Sequence, residues 1–419
     1  MIRFYNGKLL ALDGGFDVTE QEVWTDADKI AYVGPARTDM PAFEREIDLR
    51  GNLLMPGFKD AHTHSAMTFC RSLADDVPLQ PWLFEQIFPL EAKLTPERVY
   101  AFTKLAILEY VSGGITSAFD MYFFRLANAR AAADCGFRYV LQGMNCPPEQ
   151  AEDEYVKCNA MSPLVSLIPG IHAEYTTSVD EMQIVADIVQ RHKAPFFTHI
   201  SETKSEHDEC VGRHGMTPTE LFESLGLFDF GGGGYHCVWL SEHDKAIFKD
   251  RGLSVVSCPA SNAKLTSGVA PVQEYLDLGL NLALGTDGPS SNNGLDMFRE
   301  MYLACVLQKL QRADAAAGSA EAILRAAVAG GAKAMGLADC DCIAAGKQAD
   351  LIVIDLQRPS MQPIINIPKN LVYSGAKDCV KLTMVAGKVL YENGEFFIGE
   401  DPESIYETAQ RELKAMLEN

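Results

Sequence analysis

The sequence predicts an α/β fold: a (β/α)8 TIM barrel carrying a small β-sandwich formed by the N- and C-terminal segments of the chain. Three observations carry this expectation. Between residues 53 and 285, eight short apolar runs alternate with stretches of helical periodicity. The first run leads into His62-Thr63-His64, where a doubly wound nucleotide-binding sheet would place a Gly-x-Gly-x-x-Gly turn. Both chain ends read as strands and turns.

The N-terminal segment holds short β-patterned runs punctuated by Asn6-Gly7 and Asp13-Gly14, dipeptides that favour hairpin turns. The eight barrel runs follow: Leu53–Phe58, Ile115–Asp120, Tyr139–Gly143, Val165–Ile171, Pro195–His199, Tyr235–Leu240, Leu253–Ser257 and Asn281–Gly285. Amphipathic stretches such as Val179–Gln190 and Asp244–Lys249 separate them. Gly231 to Gly234 is expected to be a flexible turn before strand six. After about residue 340 the chain returns to strands, with Leu351–Asp355 and Leu382–Lys388 the clearest. The expected division is therefore 1–56 with 341–419 as the sandwich, and 57–340 as the catalytic barrel. The acidic tail from Glu400 reads as a solvated helix.

The chain has 419 residues, 47% of them hydrophobic, enough to bury a sizeable core. Its formal net charge of -21 repels phosphate backbones and anionic lipid, so neither nucleic acid nor membrane is expected as a partner. Eleven scattered cysteines without CxxC spacing read as reduced thiols, and no apolar run reaches membrane-spanning length. These features fit a cytoplasmic enzyme acting on a small neutral or cationic substrate.

In a barrel of this kind the chemistry sits at the C-terminal ends of the strands. Strand one ends in His62 and His64, strand four in His172, strand five in His199, strand six in His236 and strand eight in Asp287. Two histidines at i and i+2 on an extended backbone share one face and can chelate one ion. Three imidazoles and one carboxylate leave a coordination position open for water, whose pKa a bound divalent ion lowers to roughly 7. The expected ligands are His62, His64, His199 and Asp287, holding one divalent ion: zinc, with iron or manganese as alternatives. Strand four lacks the lysine that a two-metal site would use.

Glu202, three residues after His199, is placed to move a proton between water and a substrate ring nitrogen. His236 would hold or polarise the attacking water. Asp287 either binds metal only or also shares that proton. His172 is left between a structural, a substrate-contacting and a catalytic role. His192, His207, His214 and His243 read as surface residues.

Together these residues resemble the amidohydrolase superfamily, in its cytosine and adenosine deaminase-like branch. The motifs are Met55-Pro56-Gly57-Phe58 running into His62-Thr63-His64, Thr198-His199-Ile200-Ser201-Glu202, His236-Cys237-Val238, Cys258–Leu265 and Gly285–Asn293. Within that branch the sequence is most similar to the 5'-methylthioadenosine and S-adenosylhomocysteine deaminases. The resemblance implies a homo-oligomeric, metal-dependent enzyme that releases ammonia from a purine nucleoside. It further implies that Trp82 packs on the ribose side, that Glu91 grips the sugar hydroxyls and that His172 touches base or sugar. One departure bears on substrate. The stretch from Leu141 to Glu154, after strand three, is acidic and carries no arginine to meet an amino-acid carboxylate. Adenosine, 5'-deoxyadenosine and 5'-methylthioadenosine are therefore expected ahead of S-adenosylhomocysteine. The alternatives are an aminohydrolase or chlorohydrolase of guanine, a pterin or a triazine, and a metal-free scaffold that has lost catalysis.

Overall fold

The computed structural model describes residues 1–73, 75–77, 81–143 and 148–418. Two four-stranded parallel sheets form the barrel wall. The first half contains Phe58–Thr63, Ile115–Asp120, Arg138–Gly143 and Val165–Pro169. The second contains Phe196–Ile200, Gly232–His236, Ser254–Ser257 and Asn281–Leu284. One seam is joined by the parallel bridge between Gly170 and Phe197. The other is joined where the Asp287 N–H donates to the His62 carbonyl at 2.9 Å. Phe119, Val140, Phe197, Tyr235 and Val256 fill the interior, so the barrel is a packed core and not a channel. Tyr235 lies flat beneath the His62 ring, with ring centroids 3.8 Å apart, and forms part of the floor of the site.

Strand one differs from the expected Leu53–Phe58. That run is split at Gly57. Leu53–Pro56 pairs antiparallel with Leu351–Ile354 and parallel with Lys8–Leu10, outside the barrel. The barrel strand begins at Phe58. The reason is steric: a Cβ on Gly57 would lie 2.1 Å from Thr116 Cγ2, so only glycine lets the chain pass between the two sheets there.

The glycine run also departs from its expected turn. Gly232, Gly233 and Gly234 are strand residues, paired to Phe196–Thr198 on one side, with Gly233 and Gly234 paired to Ser254–Val255 on the other. Added Cβ atoms would meet the Phe196 carbonyl oxygen at 1.9 Å and the Ser254 carbonyl oxygen at 2.2 Å for Gly232 and Gly233. Close backbone approach, and not flexibility, explains these glycines.

N- and C-terminal segments share one seven-stranded sheet, in which Leu53–Pro56 lies between Lys8–Leu10 and Leu351–Ile354. Ile2–Tyr5, Glu22–Asp26, Lys29–Gly34 and Arg45–Asp48 make a second, four-stranded sheet. The tail helix, Pro402–Glu418, is not simply solvated. Its Ile405, Ala409 and Met416 are buried, and Ala409 and Met416 share an apolar cluster with Trp82, Ile87, Leu94 and Phe102. Apolar positions at helical spacing give it one face to dock, while its acidic face stays in water. It thereby braces the segment that carries Trp82.

Arg138, at the start of barrel strand three, makes a bidentate ion pair with Asp350, at 2.7 Å and 3.0 Å. Asp350 is fully buried, and its Oδ1 also accepts from the Ala386 N–H. Burial opposes ionisation of Asp350, but the Arg138 charge and hydrogen bonds outweigh it and hold the carboxyl below the usual range. Arg138→Met is therefore expected to destabilise the protein by about 3 kcal/mol in denaturant titration, by leaving a buried carboxylate unpaired. Because the folded-state pKa is depressed, this contribution is complete above about pH 4 and is lost as pH falls through the lowered value.

Candidate metal centre and substrate cavity

The polar side chains converge at the C-terminal mouth of the barrel. Ser201, His236, Cys237 and Asp287 all have positive φ, at 48°, 65°, 48° and 57°. For a non-glycine residue this conformation costs about 1 kcal/mol or more. Each lies at or just beyond the end of strand five, six or eight.

His62 Nε2 lies 3.1 Å from His199 Nε2, and Asp287 Oδ1 lies 3.5 Å from His62 Nε2 and 3.1 Å from His64 Nε2. Donor atoms of His62, His199, His236 and Asp287 all fall within 4.8 Å of one another. His236 thus joins three of the four expected ligands, while His64 falls outside this group and meets it through Asp287 Oδ1.

The second nitrogens show what this cluster is built for. His64 Nδ1 donates to the Met121 carbonyl at 2.5 Å, and His199 Nδ1 donates to the His172 carbonyl at 2.8 Å. A carbonyl only accepts, so in the neutral rings each Nε2 presents a bare lone pair. Burial pushes His62 down to about 3 and His199 well below its usual value, so both are neutral. Burial also lowers the His64 imidazole, yet the adjacent Asp287 carboxylate outweighs it and brings that ring up to about 9. The His199 Nε2 lone pair beside the Asp287 carboxylate, and the raised affinity of His64 for a proton at the same place, both call for positive charge there. Imidazole nitrogens with one carboxylate suit a zinc ion, and they fit it here.

Asp287 divides its two oxygens. Oδ1 faces the histidines, while Oδ2 accepts hydrogen bonds from the Ser261 and Ser291 hydroxyls at 2.5 Å and 2.7 Å. The preceding Thr286 is fixed by fully buried Asp60, through its N–H at 2.8 Å and its hydroxyl at 2.5 Å. Glu202 Oε2 stands 3.8 Å from His236 Nε2, so the two flank one point above the cluster.

A cavity of about 390 Å³ opens over this point, a size typical of small-molecule sites. Its lining includes Trp82, Glu91, His172, His199, Glu202, His236 and Asp287. All the residues expected at the site therefore meet here, His62 lying just below. Trp82 begins a short π-helical turn, Trp82–Ile87, of the kind that often marks functional segments. Glu91 accepts a hydrogen bond from the Tyr122 hydroxyl at 2.8 Å. Burial raises the Glu91 carboxyl to about 7, against the lowering effect of that bond. His172 Nδ1 contacts the Thr176 hydroxyl at 2.8 Å, and burial lowers His172 to about 4. His192 and His243 are elsewhere, beside Glu152 and Glu220, and His214 is beside Glu174. Tyr122 and Ser267 carry no signal in the sequence, and Ser261, Asn262 and Ser291 stand within its motifs without an assigned role.

The amidohydrolase family profile matches residues 53–390. The chain belongs to the amidohydrolase family. Relatives of this amidohydrolase include a 5-methylthioadenosine/S-adenosylhomocysteine deaminase of Syntrophobacter fumaroxidans, 38% identical over 87% of this chain and 86% of that protein. A 5'-deoxyadenosine deaminase of Methanothrix thermoacetophila is also 38% identical, over 93% of this chain and 94% of its own length. Among solved structures, an adenosine deaminase from Xanthomonas campestris with bound zinc superposes with a TM-score of 0.94. It is 32% identical and covers 100% of this chain and 99% of that one. The (β/α)8 architecture of the family agrees with the eight parallel strands of this amidohydrolase. No helix among the described residues is long and apolar enough to cross a membrane.

Proposed function

We propose that this amidohydrolase is a zinc-dependent deaminase of adenosine-type nucleosides, converting substrate and water to the inosine analogue and ammonia. The observation that carries the proposal is the confrontation of Glu202 Oε2 and His236 Nε2 above the histidine–aspartate cluster, inside a cavity that also contains Trp82 and Glu91. His62, His64, His199 and Asp287 would hold the ion, with His236 at its edge. When bound, a divalent ion lowers the pKa of water to roughly 7 and so supplies the nucleophile. His236 Nε2 orients that nucleophile toward C6 of the purine. Glu202 takes a proton from water and delivers it to the ring nitrogen beside C6. The second water proton passes to the exocyclic amino nitrogen, the C6–N bond breaks, ammonia leaves, and the water oxygen stays on C6 as the carbonyl. Glu91 accepts hydrogen bonds from the ribose hydroxyls, and Trp82 walls the sugar; the Trp82 N–H finds no partner among the described residues.

Charge supports the smaller nucleosides. The cavity lining carries Glu91, Glu202 and Asp287 but no lysine or arginine among the described residues. Leu83, Ile87, Phe88 and Phe123 make an apolar wall instead. Arg213, in the adjoining cleft, is already paired with buried Glu174. Of the arginine-free stretch after strand three, residues 144–147 lie outside the described residues. Adenosine, 5'-deoxyadenosine and 5'-methylthioadenosine therefore fit this cavity better than S-adenosylhomocysteine. Ammonia release by the zinc-loaded protein against these four compounds, guanine and cytosine tests both levels. Turnover of the first three with weak S-adenosylhomocysteine activity is expected. Silence on every adenosine would overturn the substrate class.

Glu91 supplies a separate check. Glu91→Ala is expected to raise KM for ribonucleosides roughly 10- to 100-fold, the worth of hydrogen bonds to a charged acceptor, with a smaller change in kcat. An unchanged KM would remove Glu91 from the sugar site. The division into a barrel of 57–340 and a sandwich of 1–56 with 341–419, a homo-oligomeric state and a cytoplasmic location also belong to the proposal. The ten described cysteines are all buried free thiols, which supports a reducing compartment.

A further inference from the structure

The segment that follows barrel strand seven contributes no group to the reaction as derived above, yet it touches every group that handles a proton. The Ser261 hydroxyl donates to Asp287 Oδ2 at 2.5 Å, and Asn262 Oδ1 lies 2.8 Å from His236 Nδ1. The Ser267 hydroxyl donates to Glu202 Oε1 at 2.8 Å. Ser267 is buried, and both of its peptide groups are tied down. Its N–H donates to the Asn262 carbonyl at 2.9 Å, and its own carbonyl accepts from the Trp239 indole at 2.8 Å. On either side the backbone is set by Thr266 and Gly268, with φ of 57° and 129°. A Cβ on Gly268 would lie 2.8 Å from Val238 Cγ1, so only glycine lets this turn approach strand six. The Ser267 hydroxyl is thus aimed before any substrate arrives.

We propose that Ser267 is a positioning residue that gives the two oxygens of Glu202 different tasks. A carboxylate has two equivalent oxygens and could pick up a proton on either. The Ser267 hydroxyl donates to Oε1, which leaves Oε2, the oxygen 3.8 Å from His236 Nε2, to receive and release the proton. Asn262 does the matching work on the other side. Its Oδ1 accepts from His236 Nδ1, so the Nε2 of that ring is turned toward the same point as Glu202 Oε2. Proton transfer is sensitive to such alignment, because donor and acceptor must come within hydrogen-bond reach in the transition state. Ser267 acts only through Glu202 and touches neither the metal cluster nor the substrate. The inference rests on the proton-carrying role of Glu202 proposed above.

The test compares Ser267→Ala, Ser267→Thr and Glu202→Gln in the zinc-loaded protein, with adenosine as probe substrate. Ser267→Ala is expected to lower kcat about 10- to 100-fold, with KM changed less than about twofold and zinc content unaltered. Ser267→Thr, which keeps the hydroxyl, should recover most of that loss. Unchanged kcat in Ser267→Ala overturns the proposal. So does a parallel loss of zinc and thermal stability, or a threonine variant as slow as alanine, since these assign the effect to packing. Glu202→Gln separates the two levels. If it keeps full turnover, the role of Glu202 itself is wrong; if it is inactive while Ser267→Ala is not, only the positioning role fails.

Discussion

Glu202→Gln should reduce kcat by about 10²- to 10⁴-fold while zinc stays bound, because it removes the group proposed to carry a proton from water to the base. The glutamine amide keeps the shape of the side chain and can still meet the Ser267 hydroxyl, so folding and metal content are expected to be unchanged. Steady-state kinetics alongside zinc analysis would check this. The backbone around Glu202 is held independently of its carboxylate, since Glu206 accepts from the Ser201 and Glu202 N–H groups at 3.0 Å and 2.8 Å. A loss of activity in the variant can therefore be read as lost chemistry. Retention of more than a tenth of wild-type kcat would show that another group, Asp287 or His236, carries the proton.

Removing the metal should abolish turnover altogether and lower thermal stability. With zinc absent, the Nε2 atoms of His62 and His199 lie 3.1 Å apart beside the Asp287 carboxylate, in a nearly dry site. Binding an ion that only the folded state can hold adds stability in proportion to the logarithm of its concentration over Kd. At a thousandfold excess that is about 4 kcal/mol. Chelation followed by a thermal scan and an activity assay, then readdition of zinc, gives both readouts. Asp287→Ala should fail to recover zinc even in excess, whereas His64→Ala and His236→Ala compared side by side would rank the two histidines that flank the core of the cluster. A chelated protein that turned over substrate normally would overturn the role of the metal, whereas a protein that took up no zinc and turned over none of the substrates would favour the scaffold reading.

Much of the site was legible along the chain because barrel chemistry collects at strand ends, and strand ends are marked by local pattern. His62, His64, His199, His236 and Asp287 each follow an apolar run, and the structure gathers His62, His199, His236 and Asp287 into one cluster with His64 against Asp287. Trp82 and Glu91 came from resemblance alone, and both line the cavity. Errors arose where a pattern had two physical causes. Consecutive glycines read equally as flexibility or as close backbone packing, and Gly232–Gly234 proved to be a strand wedged between two neighbours. An acidic, periodic tail read as solvated, yet its Ile405, Ala409 and Met416 found a surface to cover.

The sequence by itself determined the alternation of strands and helices, the residue types available at the barrel mouth and the negative charge that disfavours anionic partners. These follow from periodicity and composition, which are properties of neighbours along the chain. Only the tertiary structure decided where strand one begins, which histidine tautomers are imposed and which hydroxyls hold the carboxylates. Ser267 is 65 residues from Glu202, and Arg138 is 212 from Asp350. Hydrogen bonds of that span depend on how the barrel strands meet and how the terminal sheet packs on them, which no local stretch encodes.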